Sequence, residues 1–327
     1  MKIDCYGLRE HPFQMTPDAR LFFPSTVHSR AYAHLLYGLA QHEGFVIVTG
    51  EVGAGKTTLI ERLSAELAEK GHVVARVMTT QVGGDDLLRL VAVAFGASPS
   101  GNKAELLRAI VAKLWEGIAE RDHRHVLIVD EAQALPVAAL EELRMLSNVT
   151  EGRRALLQVV LMGQPQLRRT LARRDLDQLR QRVIAAYHLG GLTREETRAY
   201  VNHRMTSVGW TGHPAWKDGA LDVVHHYTDG IPRRINRLCS RVLLAGSLDQ
   251  SAVLTPELVE STAIELEQDL SEICSGGLPD DTDEPGTPGY ERLAERVAEL
   301  EREVARRERV FRRLQDLFHD QAVKARP

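Results

Sequence analysis

The chain has 327 residues, more than one typical domain and fewer than three, and its 43% hydrophobic and 26% charged residues give the balance of an average soluble globular protein. Aromatic residues make up only 5%, so Leu, Val, Ile and Ala must build the core, and a formal net charge of -4 confines any nucleic-acid-binding surface to a local basic patch. Cys5, Cys239 and Cys274 are far apart with no CxxC, which argues against a disulfide framework or a zinc site and fits a reducing cytosol.

No apolar run approaches the ~20 residues of a membrane-spanning helix. The start, MKIDCYGLREHPF, lacks the apolar stretch of a signal peptide. The first predicted element is a strand at 45–49. A helix over 57–70 follows, closed by Gly71. A strand at 73–77 precedes helices over about 85–95 and 103–121. Then come a strand at 126–129, a helix over 140–147 and a strand at 156–162. Strands alternating with helices imply a parallel sheet covered on both faces, and this block is assigned to 1–190.

From 191 to 270 no strand is expected. Thr193-Arg194-Glu195-Glu196 reads as a capping box, and Thr255-Pro256 opens another helix with Pro in its first turn. The block reads as a small helical domain. Residues 271–289 are rich in Gly, Pro and Asp, the chemistry of a linker. Within 290–320, Leu293, Val297, Leu300, Val304, Arg307, Phe311, Leu314 and Phe318 form a heptad seam with one polar interruption. That seam suits a coiled coil, by self-association or with a partner; the alternative is one amphipathic helix folding back on the body.

Gly50-Glu51-Val52-Gly53-Ala54-Gly55-Lys56-Thr57 fits GxxxxGK[ST] between a predicted strand and a predicted helix, the context that gives the motif its meaning. Glycines there let backbone N–H groups surround a phosphate at the positive end of a helix. Lys56 is expected to reach the β- and γ-phosphates of ATP, Thr57 to ligate Mg²⁺, and Thr58 to support the α-phosphate. Val126-Leu127-Ile128-Val129-Asp130-Glu131 is an apolar strand ending in two carboxylates. Asp130 is expected to hold Mg²⁺ through water and Glu131 to act as general base on the attacking water. Phosphoryl transfer also needs positive and polar groups at the developing charge. Gln164, Arg182 and Arg233 are the candidates.

This order of motifs resembles the AAA+ superfamily, which implies an α/β P-loop ATPase domain followed by a helical lid, with nucleotide between them and at a subunit boundary. The resemblance places Gln164 at sensor 1, Arg182 at the arginine finger and Arg233, in Gly230-Ile231-Pro232-Arg233, at sensor 2. A finger acts on a neighbour's ATP, so it implies a homo-oligomer. Tyr6-Gly7-Leu8, Pro12-Phe13, Asp130-Glu131-Ala132-Gln133, Leu143-Arg144-Met145-Leu146-Ser147-Asn148 and Gly163-Gln164-Pro165 are similar to the ExeA-like ATPases, the general secretion pathway protein A group. Glu43-Gly44-Phe45 and Gly209-Trp210 look most like the ATPase of exosortase/PEP-CTERM loci, which make and export exopolysaccharide. The implied partner is a membrane export or assembly system, reached through the C-terminal tail from the cytoplasm or the inner-membrane surface. Phe13 and its neighbours become candidates for the adenine face. The ExeA proteins carry a membrane segment and a peptidoglycan-binding region after the ATPase; the linker and heptads stand there in this chain, so a cell-wall role is not carried over.

Two other readings compete. Arg153-Arg154, Arg168-Arg169, Arg173-Arg174, Arg180 and Arg182 are locally basic, as a DNA-loading transposition ATPase of the AAA+ group requires, but no helix-turn-helix or aromatic platform accompanies them. The other is a scaffold whose assembly is switched by slowly hydrolysed ATP. His123, His125, His225 and His226 lack metal-ligand spacing and read as exposed or helix-end residues.

Overall fold

Three runs of β-branched and apolar residues meet side by side at the centre of the molecule. In this computed structural model, which describes residues 6–14, 23–78, 84–121, 124–152 and 154–275, the elements run in the order α1 (Thr26–Ala40), β1 (Phe45–Gly50), α2 (Lys56–Glu69), β2 (Val73–Met78), α3 (Gly84–Ala94), α4 (Lys103–Arg121), β3 (His125–Asp130), α5 (Val137–Ser147), β4 (Thr150–Glu151), β5 (Arg154–Ala155), β6 (Leu157–Gly163), α6 (Gln166–Leu171), α7 (Asp177–Arg180) and β7 (Val183–Leu189). Then follow α8 (Arg194–Ser207), β8 (Ala215–Trp216), α9 (Ala220–Thr228), α10 (Pro232–Leu248), β9 (Val253–Leu254) and α11 (Pro256–Ser275). The main sheet has the order β2-β3-β6-β1-β7, and every pairing in it is parallel.

The period of two along each central strand divides the core into two faces. Phe45, Ile47, Leu127, Val129, Val159 and Leu161 point to one side and pack with Leu87 and Val91 of α3, Ile110 and Leu114 of α4, and Leu140 and Leu143 of α5. Val46, Val48, Val126, Ile128, Val160 and Met162 point to the other, against Leu35 of α1 and Leu59, Ile60 and Leu63 of α2. Each such fully buried side chain contributes about 1.5–3 kcal/mol, so the central strands are the least movable part of the fold.

The four expected sheet strands and their helices are present with ends shifted by a few residues. Six elements of this block are additional: α1, β4, β5, α6, α7 and β7. The helix α1 precedes the first expected strand, opened by Ser25, whose side chain accepts from the His28 N–H. The strand β7 adds an edge beside β1. Only Ala185 and Leu189 of its seven residues are buried, and its two alanines favour helix as much as strand.

The helices α8 to α11 gather a separate apolar cluster around Tyr200, Val201, Val224, Leu238, Val242 and Val259. Thr193 and Glu196 form the expected capping box at α8. The expectation of no strand is corrected by the short parallel pair β8–β9, whose two residues each leave no periodicity to read. Residues 6–14 also depart from the division at 190. Tyr6 and Phe13 belong to this second cluster, and Arg204 Nη1 donates to the carbonyls of Pro12 and Gln14 at 3.1 and 3.2 Å. Contacts divide the chain into a unit of residues 1–269 and a second of 270–327. The helix α11 runs to Ser275, inside the segment expected as linker, and the heptad seam of 290–320 lies outside the described residues. No helix among the described residues is long and apolar enough to cross a membrane.

Candidate nucleotide site

In a parallel sheet the loops leaving the carboxyl ends of the strands lie on one side, where α/β folds bind ligands. The strand β1 ends in Gly50, and the chain turns through 51–55 before α2 begins at Lys56. The N-cap, Gly55, has φ 100° and no side-chain cap, so the positive end of a 14-residue helix is left to the loop. Gly53 has φ 83°, and a Cβ there would fall 2.1 Å from that of Arg233.

The loop is held by its carbonyl oxygens, the side that an anion does not use. Lys56 Nζ donates to Gly50 and Glu51 at 2.8 and 3.0 Å. The Arg233 N–H donates to Gly53 at 3.2 Å, and His28 Nε2 lies 2.9 Å from the Ala54 oxygen. Lys56 is 6% exposed. Burial lowers its pKa, and the carboxylates of Glu131, Asp130 and Glu51 partly offset that effect. The ammonium is therefore shared between the loop and the acidic pair. Glu51, Val52 and Thr57 are exposed at the mouth, Thr58 is half-buried and Ala54 is buried.

The acidic side comes from β3. Asp130 is buried; its Oδ1 accepts from the Glu131 N–H at 2.9 Å, and its Oδ2 lies 3.3 Å from Arg76 Nη2 on the adjacent strand β2. Glu131 has φ 53°, a left-handed conformation uncommon outside Gly, Asn and Asp. Its Oε2 accepts from Gln133 Nε2 at 2.5 Å and from Gln164 Nε2 at 3.2 Å. Gln133 Oε1 in turn accepts from the Gln164 N–H at 2.8 Å. The orientation of the Gln133 amide follows from its two partners, since a carboxylate only accepts and an N–H only donates.

The structure thus gathers the loop 50–58, Asp130, Glu131, Gln164 and Arg233 at one edge. It does not bring Arg182 there. The Arg182 carbonyl accepts from the Phe45 N–H at the amino end of β1, and its Nη1 lies 3.4 Å from the Ser147 oxygen. At about 3.3 Å per residue, the length of β1 puts Arg182 roughly 17 Å from the loop. Phe13 is corrected as an adenine face: at 2% exposure it is core of the helical cluster. His125 is likewise a buried strand residue, packed edge-on against Phe95 rather than exposed, and His225 binds Thr197 Oγ1 at the end of α9. His28, Gln133 and Arg76 were not legible as site residues. Gln133 stands inside a motif that carries the resemblance, so its position was visible but its role was not. His28 and Arg76 have no motif spacing to reveal them.

The family model AAA_22, described as an AAA domain, matches residues 39–171. Residues 39–171 therefore carry an AAA domain. General secretion pathway protein A of Aeromonas hydrophila is 39% identical over 246 residues, 73% of this chain and 44% of that protein, so the chain is related to that protein and spans less than half its length. Among solved structures, Cdc6p of Pyrobaculum aerophilum is similar with a TM-score of 0.60 at 15% identity, covering 82% of this chain and 74% of that one. The Aeropyrum pernix ORC1 protein in complex with DNA gives 0.57 at 17% identity, covering 88% and 81%. At those identities the likeness shows the fold: a parallel P-loop sheet with helices around it. The AAA+ domain binds and hydrolyses ATP. A hydroxyl at Thr57 and a carboxylate at Asp130 are the hard oxygen donors that suit Mg²⁺, so the residues present fit that ion.

Proposed function

We propose that this chain is an ATP-driven switch or motor of a secretion or exopolysaccharide (exosortase-type) export system, working as a homo-oligomer. The observation that carries the reading is the separation of its polar groups. Lys56, Asp130, Glu131, Gln164 and Arg233 converge on one edge of the sheet, while Arg182 stands at the opposite end.

Loop 50–57 and Lys56 bind the ATP phosphates, with Thr58 behind them. Thr57 and Asp130 would hold Mg²⁺, which would supply positive charge against the phosphates. Glu131, oriented by Gln133 and Gln164, takes a proton from water as the water oxygen bonds the γ-phosphorus. The bond from that phosphorus to the bridging oxygen breaks, releasing ADP and phosphate. Arg233 leaves the first turn of α10, so a change at the γ-phosphate is passed to α8–α11, acting as a lid. Arg182 serves the site of a neighbouring copy. The tail at 290–320 offers its heptads to the export partner.

Size-exclusion chromatography with a non-hydrolysable ATP analogue tests the assembly; a monomer under all conditions would leave Arg182 without a role. Neighbouring exosortase and glycosyltransferase genes are expected, and transposase genes in their place would overturn the export reading. The basic stretch supports DNA binding less than its composition suggests, because Arg173 and Arg180 are paired with Asp175 and Asp177 at 3.0 and 2.5 Å. Gel retardation at low salt that fades along a salt series would restore the DNA reading.

A further inference from the structure

His28 lies in the first turn of α1, is 8% exposed and has both ring nitrogens engaged. Nε2 is 2.9 Å from the Ala54 carbonyl oxygen and Nδ1 is 2.6 Å from Ser25 Oγ. A carbonyl only accepts, so the proton of the neutral ring sits on Nε2, and the Ser25 hydroxyl donates to Nδ1. Burial lowers the imidazole pKa, with the Ala54 bond and the charge of Glu196 opposing it, which keeps the ring neutral at pH 7. The contact is close: a Cβ on Gly55 would fall 2.3 Å from Nε2.

The other side of this helix end is tied to α8. The Thr26 N–H donates to Glu196 Oε1 at 2.6 Å, while Oε2 of the same carboxylate accepts from the Thr193 N–H at 3.1 Å. Burial raises the Glu196 pKa, but the hydrogen bonds from Thr193 and Thr26 outweigh it and hold the carboxyl below its usual value. A continuous set of bonds therefore runs from the phosphate loop, through Ser25–His28, to the helical cluster. It is separate from the Arg233 contact.

We propose that His28 is a positioning residue for ATP, fixing the phosphate loop through the Ala54 carbonyl from a helix end that α8 anchors. A trans peptide is planar, with its C=O and N–H directed oppositely. Holding the Ala54 carbonyl towards α1 therefore turns the Gly55 N–H to the inner side of the loop, where a phosphate is received. Loss of the donor leaves a carbonyl without its partner in an enclosed position and lets that peptide plane rotate. The effect falls on nucleotide affinity and not on the chemical step, because His28 faces the back of the loop. The proposal rests on reading 50–57 as the phosphate loop.

The test compares binding of a fluorescent ATP analogue and steady-state phosphate release in the full chain and in His28→Asn, His28→Gln and Lys56→Ala. Gln carries an amide nitrogen near the place of Nε2; Asn reaches Ser25 but not Ala54. His28→Asn is expected to bind the analogue about tenfold more weakly and to raise KM by the same factor, with kcat within about twofold. His28→Gln should return binding to within about threefold of wild type. Wild-type binding by His28→Asn, alongside loss of binding in Lys56→Ala, would overturn the proposal and leave the loop reading intact. Equal losses in Asn and Gln would also overturn it, marking a packing role. Undiminished binding by Lys56→Ala would instead defeat the loop reading itself. Should His28→Asn not fold, Ser25→Ala keeps the ring and removes the hydroxyl that donates to Nδ1 and orients it; about threefold weaker binding is expected, and unchanged binding refutes the proposal.

Discussion

The two ends of the parallel sheet are chemically unlike. At the carboxyl ends, β1, β3 and β6 deliver Gly50, Asp130 and the Gly163-Gln164 pair to one edge, where Lys56 and Arg233 join them. At the amino ends stands Arg182, bonded through its carbonyl to Phe45. The strand β6 lies between β1 and β3. Gln164 consequently falls between the phosphate loop and the acidic pair without any long side chain having to reach. A parallel sheet gives all its strands one direction, so groups placed at their two ends cannot meet within one chain. Each end has to be read as half of a site or as a whole one.

The largest effect expected from breaking this comparison is at Arg182. Arg182→Ala should lower kcat about a thousandfold, as removal of a trans-acting arginine does, with ATP affinity unchanged and the urea midpoint near wild type. Mixing Arg182→Ala with Glu131→Gln should recover phosphate release, because a mixed assembly contains sites with both groups intact. No recovery, or full activity of Arg182→Ala alone, would remove Arg182 from the chemistry. Next in size, Glu131→Gln should lower phosphate release about a hundredfold or more while ATP still binds. Equal rates in variant and wild type would defeat its assignment as the base.

A smaller effect is expected at Gln133. Gln133→Leu removes the short hydrogen bond to Glu131 and leaves the Gln164 N–H without its side-chain partner. It should reduce kcat about tenfold with little change in KM; a change confined to KM would mean that Gln133 does not orient the base. The smallest effect is on stability with pH. Burial is the leading cause lowering the pKa of His11, His28 and His72. The unfolded chain, with histidine near 6.5, therefore binds protons that the folded chain does not, and stability rises with pH across that range. The urea midpoint should fall as pH drops from about 7 through 6, before the carboxylates titrate, and His28→Gln should flatten that slope. A midpoint constant over the interval would show these rings protonated or accessible in the fold.

The legibility of the molecule followed the same division. The carboxyl edge is written in contiguous residues. The strand at 45–49, the loop 50–57 and the apolar run into Asp130-Glu131 each have a local physical cause that a sequence displays. Gln164 and Arg233 became candidates through the order of motifs, and the structure sets the Gln164 amide against Glu131 and the Arg233 N–H against Gly53. His28 was not a candidate. It precedes the loop by a helix and a strand, and only the packing of α1 on β1 and α2 brings its ring to Ala54. Phe13 misled for a related reason. An aromatic residue before a phosphate loop has two possible fates, a ligand face or a core, and only its burial among Tyr200 and the residues of α10 decides between them. The strand β7 escaped because, as an edge strand, it buries only Ala185 and Leu189 fully and carries no long apolar run.

The supports of the phosphate loop bear on what can be cut out of this protein. Residues 39–171 carry the AAA match, yet two of the donors that hold the loop, the ring of His28 and the N–H of Arg233, lie before and after that span. A fragment trimmed to the match would keep every letter of the phosphate motif and lose the two brackets that shape it. The motif is portable as text, but the contacts that hold its loop reach from Ser25 to the start of α10.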